Sequence, residues 1–479
     1  MAPPVVRSLP APASRWRIPA IALLLAYFCY FCWDSALVRF APDDLMNMAY
    51  YLKQKPLELL LAQLTPWKAS YRPMAGLYYV PILDAFGLNP VPFHVVTLLL
   101  LLANVYLLYR LARQLGAGEL AAGLAALLAC YHAGLSNLGY DTAFIFDVLC
   151  CLFYLAALVY YIGIRSRERL LNLRQSAAFL GLYLCALNSK EMAVTLPAVL
   201  LVYEWFFHRP GRLREEWRAW LFGPGRAALM AAAVDLVYLY GKVLRPDALM
   251  QIEGYRPVLS LQRFLDFQIL SWSDLLLTWN RFGWRTVLGI CIVLSFFAWR
   301  LRRPVLRFCW LFFLIAPLPI EFLVGRTGAC LAIPFCGLAI FVAVTFVGLT
   351  RALANLLRWR LCREIVFALI CLSALALWAR QNHTVKQLYV KPAMDETGRE
   401  TWAVIEQLRS LDPHIRPRSS VVFLNDPFEG YDMAFIAEAF FRDPSLVIRL
   451  GRKTPISQQE LAAADYLFTF DGGSLVRLR

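Results

Sequence analysis

Residues 91–110 read VPFHVVTLLLLLANVYLLYR, and apart from His94 no ionisable side chain other than a tyrosine occurs in this stretch before Arg110. A helix of about 20 mostly apolar residues is long enough to cross the hydrocarbon core of a bilayer. The stretch therefore predicts a membrane-spanning helix.

Ten further stretches have a similar apolar character, so the sequence predicts about eleven spans. The predicted spans begin near Ile18, Val91, Leu120, Ala143, Gln175, Ala193, Ala227, Thr286, Val305, Ala329 and Glu364. The first is kept as a span, because Pro42-Asp43-Asp44 follows it where a signal peptide would have a small-residue cleavage site.

The composition of the chain as a whole also indicates a membrane protein. The chain has 479 residues, of which 60% are hydrophobic and 17% are charged, and its mean hydropathy is +0.54. Soluble domains are nearer half apolar and a quarter charged, so an ordinary soluble enzyme and a disordered chain are both excluded. The predicted fold is an α-helical polytopic membrane protein.

The distribution of charge predicts an orientation. The net charge is +15, but the residues from Gln381 onward carry 12 basic and 13 acidic side chains, so the excess lies in the membrane region and does not indicate a nucleic-acid partner. With the N-terminus inside, the inner segments hold 21 arginines, whereas the three short outer turns hold only Lys190 and Arg326. Cytoplasmic loops are enriched in Lys and Arg, so we expect a cytoplasmic N-terminus, an outer C-terminal tail and, as the location, a bacterial inner membrane.

Two outer segments are too long to be simple turns, residues 39–90 and 242–285. The first contains two apolar runs, Leu57 to Leu64 and Met74 to Phe86, which are too short to span comfortably. We expect them to be interfacial helices at the outer surface, forming the walls of a site.

The chain divides into a membrane domain, residues 1–380, and a small extracytoplasmic α/β domain, residues 381–479. The tail alternates helical and strand-like patterns. Helices are predicted at Glu400 to Leu411 and Met433 to Phe441, and strands at Val421 to Leu424, Leu446 to Ile448 and Tyr466 to Phe468.

Charged residues of both signs fall at the predicted outer face. Adjacent carboxylates such as Asp43 and Asp44 raise one another's pKa and could supply a general base. The pair could instead hold a cation, or simply cap a solvated interfacial helix, since Asp favours helix N-termini.

Three outer bases are candidates for binding phosphate, which Arg holds in bidentate fashion and Lys as a point charge. Arg72 closes the first outer segment and Lys190 lies in a short turn, where each could also be an interface anchor. Arg326 runs against the positive-inside pattern, so it either pairs with Glu321 or Asp141 or binds a lipid phosphate. Asp147 lies in an apolar run, which favours an interior hydrogen bond or a cavity wall.

The motifs resemble those of the C-type integral membrane glycosyltransferases that depend on polyprenyl phosphate, and most closely the transmembrane O-mannosyltransferases with tetratricopeptide repeats. The similar stretches occur in the same order as in that family. They are Phe40-Ala41-Pro42-Asp43-Asp44, Ser70-Tyr71-Arg72-Pro73-Met74, Gly87-Leu88-Asn89-Pro90 with Phe93-His94, Ser189-Lys190-Glu191 with Thr195 to Glu204, and Pro317 to Gly337. The tail departs from that branch, because it contains no 34-residue repeat.

The resemblance implies transfer of a sugar from a polyprenyl-phosphate carrier to an acceptor hydroxyl on a protein, lipid or glycan, with inversion. The implied catalytic base is Asp43 or Asp44, and the implied phosphate-binding residues are Arg72, Lys190 and Arg326. The supporting residues would be Glu191, which would orient Lys190 or the acceptor, together with Asp141 and Tyr71. Metal dependence varies in this class, so a divalent metal stays possible.

Two other functions remain open at this point. A transporter or lipid flippase would carry charges along a midplane path between inverted repeats, and this sequence shows no such two-half symmetry. A noncatalytic scaffold displaying the tail domain would leave the outer acidic and basic motifs without a common purpose.

Overall fold

The structure is a computed structural model that describes residues 17–209, 213–245, 248–251, 253–278, 282–411 and 413–479. The N-terminal residues up to 16, on which part of the predicted orientation depends, lie outside the described residues.

The described residues form twenty α-helices. They are α1 Arg17–Cys32, α2 Pro42–Leu52, α3 Pro56–Gln63, α4 Pro73–Phe86, α5 Pro90–Gln114, α6 Glu119–Cys130, α7 Asn137–Tyr140, α8 Ile145–Arg165, α9 Leu173–Ser189, α10 Leu196–Phe207, α11 Leu213–Phe222, α12 Arg226–Leu239, α13 Leu261–Leu275, α14 Trp284–Arg300, α15 Pro304–Ile315, α16 Ala332–Ala354, α17 Arg360–Val385, α18 Lys391–Leu411, α19 Asp432–Phe441 and α20 Gln458–Ala463.

The chain is an integral multi-pass membrane protein. A helix begins within a few residues of every predicted span start. By length and composition, six helical segments of the described chain are able to cross a membrane, and they are Ile18–Leu37, Pro90–Gln114, Thr142–Arg165, Arg226–Leu244, Gly328–Ala354 and Arg360–Leu411. The total of eleven spans remains a prediction, because the other apolar helices are shorter, for example Glu119–Cys130 and Pro304–Ile315.

The first long outer segment is helical, as predicted. The expected runs at Leu57 to Leu64 and Met74 to Phe86 are α3 and α4, and the acidic pair begins a further helix, α2. Each of the three starts with proline, which suits the first helical turn because its fixed φ matches the helix and its missing N–H would be unpaired there anyway. The interfacial position of these helices remains a prediction.

The last spanning helix is longer than the sequence predicts. A π-helical turn, Lys386–Val390, joins α17 to α18, so one helical segment runs from Arg360 to Leu411. The helix predicted at Glu400 to Leu411 is the end of this segment. The division between the two domains at residue 381 therefore falls within a helix, and it remains a prediction.

A small sheet follows α18, as the strand-like patterns predict. Its strands are β1 Ser420–Leu424, β2 Val447–Leu450, β3 Tyr466–Asp471 and β4 Ser474–Arg477, in the order β2-β1-β3-β4. β1 pairs in parallel with β2 and β3, and β4 is antiparallel to β3. The prediction of a small C-terminal α/β unit is confirmed.

The C-terminal unit shares a hydrophobic core with the helices that follow the first span. This core joins Leu45 of α2 and Tyr79 of α4 to Phe423 of β1 and Ile436 of α19. Lys53 also forms an ion pair with Glu438, with 2.8 Å between Nζ and Oε1. The C-terminal unit is thus held against α2, the helix that carries the acidic pair.

Candidate active site

The start of the Thr142–Arg165 segment contacts three of the predicted site residues. The hydroxyl of Thr142 donates to Asp44 Oδ1. The centre of the Phe146 ring lies 4.9 Å from the guanidinium of Arg72. The carboxylate of Asp147 accepts hydrogen bonds from Lys190. Residues 142 and 147 are separated by roughly 8 Å along a helix, at about 1.5 Å per residue. One short stretch of backbone therefore brings together the acidic pair, Arg72 and Lys190.

The two members of the acidic pair have different environments. Asp44 is buried, and its Oδ2 accepts from the N–H of Ala41 at 2.7 Å while its Oδ1 accepts from Thr142. Asp43 is exposed. Asp44 therefore caps α2. It does so as a buried residue, whereas one role that the sequence allowed for the pair was a solvated helix cap. Asp43 presents the accessible carboxylate.

A third carboxyl, that of Asp141, lies beside this pair. Burial raises the pKa of Asp44, and the nearby Asp141 raises it further. Burial likewise raises the pKa of Asp141 to about 7, against the N–H of Ala143, which donates to Asp141 Oδ1 at 2.9 Å. Among the described residues, no group of three or more His, Cys, Asp or Glu side chains is arranged to hold a metal ion.

Arg72 is buried and is already paired. Its Nη2 donates to Glu191 Oε2 at 2.8 Å, its Nε donates to the same carboxylate, and its Nη1 donates to the hydroxyl of Tyr71 at 3.2 Å. Burial alone would raise the pKa of Glu191, but the charge of Arg72 outweighs it and holds the pKa at about 2. Glu191 and Tyr71 thus orient Arg72, whereas the sequence predicted that Glu191 would orient Lys190 or the acceptor.

The backbone at Arg72 is strained. Its φ is +40°, in the left-handed region that residues with a Cβ rarely adopt, and Pro73 follows it. The hydroxyl of Tyr51 donates to the carbonyl oxygen of Arg72 at 2.9 Å and thereby helps to hold this conformation. Such strain costs of order 1–3 kcal/mol per residue and is concentrated at functional sites.

Lys190 is also buried and paired. Its Nζ lies 2.6 Å and 2.7 Å from the two carboxylate oxygens of Asp147, and 3.3 Å from the sulfur of Cys330. Asp147 thus makes the interior contact expected of a carboxylate in an apolar run. The ion pair leaves Lys190 with little net charge to offer a ligand.

Arg326 differs from the other two bases because it has no carboxylate partner among the described residues. Its guanidinium lies 4.9 Å from the centre of the Tyr255 ring, and no hydrogen bond or ion pair to it is seen within the described part of the chain. Glu321, one of the two partners considered from the sequence, instead accepts a hydrogen bond from Gln268 at 3.0 Å. The pairing of Arg326 with Glu321 or Asp141 is therefore not observed.

Two residues of the cluster were not predicted as site residues, Tyr255 and Lys242. Tyr255 comes from the second long outer segment, and its hydroxyl is 3.4 Å from that of Tyr71. The buried Nζ of Lys242 donates to the carbonyl oxygen of Ser70, and its charge contributes to the low pKa of Glu191. Lys242 lies at the predicted outer end of a span, which is a weak signal, whereas only the three-dimensional arrangement identifies Tyr255.

Local backbone geometry explains how Lys242 reaches this cluster. It lies in a π-helical turn, Tyr240–Leu244, that ends α12, a feature often found at functional sites. The preceding Gly241 packs against Trp67, and a Cβ there would lie 2.7 Å from the Trp67 carbonyl carbon. Glycine at this position lets the turn approach the Trp67 to Ser70 backbone.

The C-terminal unit also lies close to the acidic pair. Its helix α19 packs on α2, and burial together with the charge of Asp43 raises the pKa of Asp432, the first residue of α19. Arg442 at the end of α19 also donates to the carbonyl oxygen of Leu83. The exposed face of Asp43 is thus bordered by the C-terminal unit.

Solved structures with a similar fold include ArnT and an archaeal oligosaccharyltransferase. ArnT from Cupriavidus metallidurans bound to undecaprenyl phosphate is 13% identical with a TM-score of 0.53, and the match covers 94% of this chain and 88% of that chain. The same protein in its apo state is 15% identical with a TM-score of 0.51, covering 90% of this chain and 85% of that chain. The chain has the fold of a C-type integral membrane glycosyltransferase.

A second match is more partial. An oligosaccharyltransferase from Archaeoglobus fulgidus, tethered with an acceptor peptide, is 11% identical with a TM-score of 0.50, and the match covers 91% of this chain but 64% of that one. No protein-family model and no curated protein matches the sequence. The likeness therefore concerns the fold, and it agrees with the resemblance seen in the motifs.

Proposed function

We propose that this protein is a glycosyltransferase that moves a sugar from a polyprenyl-phosphate carrier to an acceptor hydroxyl on the extracytoplasmic side of the membrane. The observation that carries the proposal is the gathering of distant segments around the start of the Thr142–Arg165 segment. An accessible carboxylate, Asp43, adjoins Asp44, which accepts a hydrogen bond from Thr142. Arg326, which has no carboxylate partner among the described residues, lies over the same Tyr255 ring as Arg72, whose guanidinium contacts Phe146. The likeness of the fold to ArnT bound to undecaprenyl phosphate supports this reading.

The acidic pair divides its roles in this proposal. Asp43 is the general base, because its carboxylate is accessible, whereas both oxygens of Asp44 already accept hydrogen bonds. Asp44, with Asp141 beside it, fixes the start of α2 and thereby the position of Asp43. A positioned general base contributes typically 10²–10⁴-fold to a rate.

The reaction is a single displacement. Asp43 takes the proton of the acceptor hydroxyl as its oxygen attacks the anomeric carbon. The bond from that carbon to the carrier phosphate breaks, and the electron pair leaves on the phosphate oxygen. The configuration at the anomeric carbon inverts, and the proton ends on Asp43.

The leaving phosphate gains negative charge as the bond breaks, so cations that face it act mainly on the transition state. Arg326 is the principal phosphate-binding residue in this proposal, because it has no carboxylate partner within the described chain. Arg72 and Lys190 are each neutralised by a carboxylate, so they add less net charge and instead shape the site. Lys242, which makes a hydrogen bond to a backbone oxygen and no direct ion pair among the described contacts, is an additional contributor.

The proposal also includes an orientation. The N-terminus is cytoplasmic, residues 381–479 are extracytoplasmic, and the protein lies in a bacterial inner membrane. The C-terminal unit borders Asp43, so an acceptor hydroxyl would reach Asp43 where the first turns of α2 and α19 lie close together.

Mass spectrometry of glycans from cells with and without the protein tests the proposal. We expect a glycan to disappear in its absence, to return with the wild-type protein, and not to return with Asp43→Asn. Asp84→Asn is the matched control, because Asp84 is an exposed aspartate of the neighbouring helix α4. Glycans unchanged by loss of the protein, with substrate flux in liposomes, would support a transporter instead.

A further inference from the structure

A second binding site is suggested by a cleft far from the acidic pair. The cleft has a volume of about 570 Å³ and is lined by Trp205, Trp220, Trp299, Arg209 and Arg307, with Leu, Val and Phe side chains completing the walls. Its mostly apolar lining suits an acyl chain, and its two arginines introduce positive charge.

The cleft lies at the ends of helices opposite to the candidate active site. The helix α10 begins just beyond Lys190 and Glu191, and Trp205 lies near its other end. Similarly, Arg307 is in the first turn of α15, whereas Arg326 comes after the C-terminal end of that helix. If the active site faces one membrane surface, this cleft belongs to the other leaflet.

The positive charge in the cleft is not compensated by the described residues. Arg209 lies 5.1 Å from the centre of the Trp205 ring, and the guanidinium of Arg307 makes one long hydrogen bond among the described residues, of 3.5 Å, to the carbonyl oxygen of Trp299. No ion pair to either arginine is seen in the described part of the chain. The carboxylate on α10, that of Glu204, is occupied by Arg165 at 2.8 Å.

Two buried donors near the same cleft also lack acceptors. The Nε of Arg307 and the Nε1 of Trp220 are both buried, and neither has a hydrogen-bond partner in the described structure. A buried donor without an acceptor costs about 1–3 kcal/mol, so an acceptor that is not a part of the described chain is expected. An oxygen-rich anion satisfies both the donors and the arginines.

We propose that this cleft binds an anionic glycerophospholipid of the leaflet opposite the active site. Its phosphate and headgroup oxygens would meet Arg209, Arg307 and Trp220 Nε1, and an acyl chain would lie along the tryptophans. Basic pockets between membrane helices bind anionic headgroups in this way. The commoner role of such arginines is to anchor helices at the interface without selecting a lipid, and the experiment separates the two.

The test is native mass spectrometry and thermal unfolding of the full-length protein in mild detergent. Phosphatidylglycerol should bind and raise the unfolding temperature more than phosphatidylcholine does. In Arg209→Gln with Arg307→Gln, the phosphatidylglycerol concentration for half-maximal stabilisation should rise about tenfold or more. Arg300→Gln is the matched control and should behave as wild type. Arg300 is an exposed arginine that follows Trp299 at the C-terminal end of α14.

Three results would overturn the inference. These are equal stabilisation of the wild-type protein by both lipids, an unchanged response in the double variant, and full stabilisation by glycerol 1-phosphate alone, which would mean a soluble phosphate site. If the double variant does not fold, Trp220→Phe replaces it. That change keeps a ring but removes the unpaired N–H, and it should weaken phosphatidylglycerol binding.

Discussion

Arg72 and Arg326 place their guanidinium groups over the same aromatic ring, that of Tyr255, at 5.7 Å and 4.9 Å from its centre. Aromatic faces attract cations, so the ring lets two like charges from distant parts of the sequence approach one another. Of these two arginines, only Arg72 is neutralised within the described part of the chain, by Glu191. The net positive charge at this place therefore comes chiefly from Arg326, and the first predictions test that asymmetry.

Replacing Arg326 should weaken use of the lipid donor more than use of the acceptor. We expect Arg326→Gln to lower kcat/KM for the polyprenyl-phosphate sugar by about 100-fold, the scale seen when one charge-stabilising donor is removed from an active site. Kinetics at varied donor concentration measure this. Arg256→Gln, an exposed arginine next to Tyr255, is the control. Equal losses in the two variants would remove the phosphate-binding role.

Two substitutions of Tyr255 should distinguish the contribution of its ring to activity from that of its hydroxyl. Tyr255→Phe keeps the aromatic face and should retain most activity, since the hydroxyl makes only a long contact of 3.4 Å with that of Tyr71. Tyr255→Ala removes the face that supports both arginines and should lower activity about fivefold or more, because a cation–π contact is worth about 0.5–2 kcal/mol and two are lost. Activity assays at matched protein stability decide between these outcomes. Similar losses in both variants would contradict a role for the ring face.

The two acidic residues should respond differently to amide substitution. Asp43→Asn should lose 10²–10⁴-fold in transfer rate and unfold at the wild-type temperature. Asp44→Asn should lose stability, by about 1 kcal/mol for a weakened N-terminal cap, and retain more transfer activity than Asp43→Asn. Transfer assays and thermal unfolding of both variants provide the comparison. The reverse ranking of activities would assign the base to Asp44.

The sequence predicts the helices and the strands well, because apolar run length and residue spacing are local properties. It also predicts that four site residues lie at one face of the membrane, namely Asp43, Arg72, Lys190 and Arg326. The reason is that the order of the spans and the distribution of Lys and Arg assign each loop to one side. The sequence does not predict that Arg72 pairs with Glu191 and Lys190 with Asp147. Those choices depend on how α8 and α9 pack, which no local pattern encodes.

The Lys190–Asp147 pair offers a test of its structural role. Removing one partner of a buried ion pair leaves an uncompensated charge and costs about 3–5 kcal/mol. We therefore expect Lys190→Met and Asp147→Leu to be strongly destabilised, and the double variant to lose less than the sum of the two. Denaturant unfolding in detergent measures the coupling. Additive losses would show that the two residues do not act as a pair.

The pH dependence of stability should reflect Asp141. Its pKa is raised to about 7, against an unfolded value of about 3.9, so the folded protein holds a proton that the unfolded chain releases. This contribution is fully present below about pH 4 and is lost as the pH rises through about 7. Glu191 has the opposite sign, since its pKa is lowered to about 2, but its contribution changes only in more acidic solution.

We therefore expect the unfolding temperature to fall between about pH 4 and 7, and Asp141→Asn to flatten that fall. Asp44, whose pKa is also raised, contributes in the same direction, so part of the slope should remain. Thermal unfolding across this pH range is the measurement. A slope that is unchanged in Asp141→Asn would contradict the burial argument.

The most direct test is transfer by the purified protein in lipid nanodiscs supplied with polyprenyl-phosphate sugars and hydroxyl-bearing acceptors. Mass spectrometry of the products reports both the glycosidic product and the freed carrier phosphate. We predict that the wild-type protein forms both with one or more of the donors, and that Asp43→Asn forms neither. If the wild-type protein forms no glycosidic product from any donor but moves the lipid across the bilayer of vesicles, the protein is a flippase and the enzymatic account is wrong.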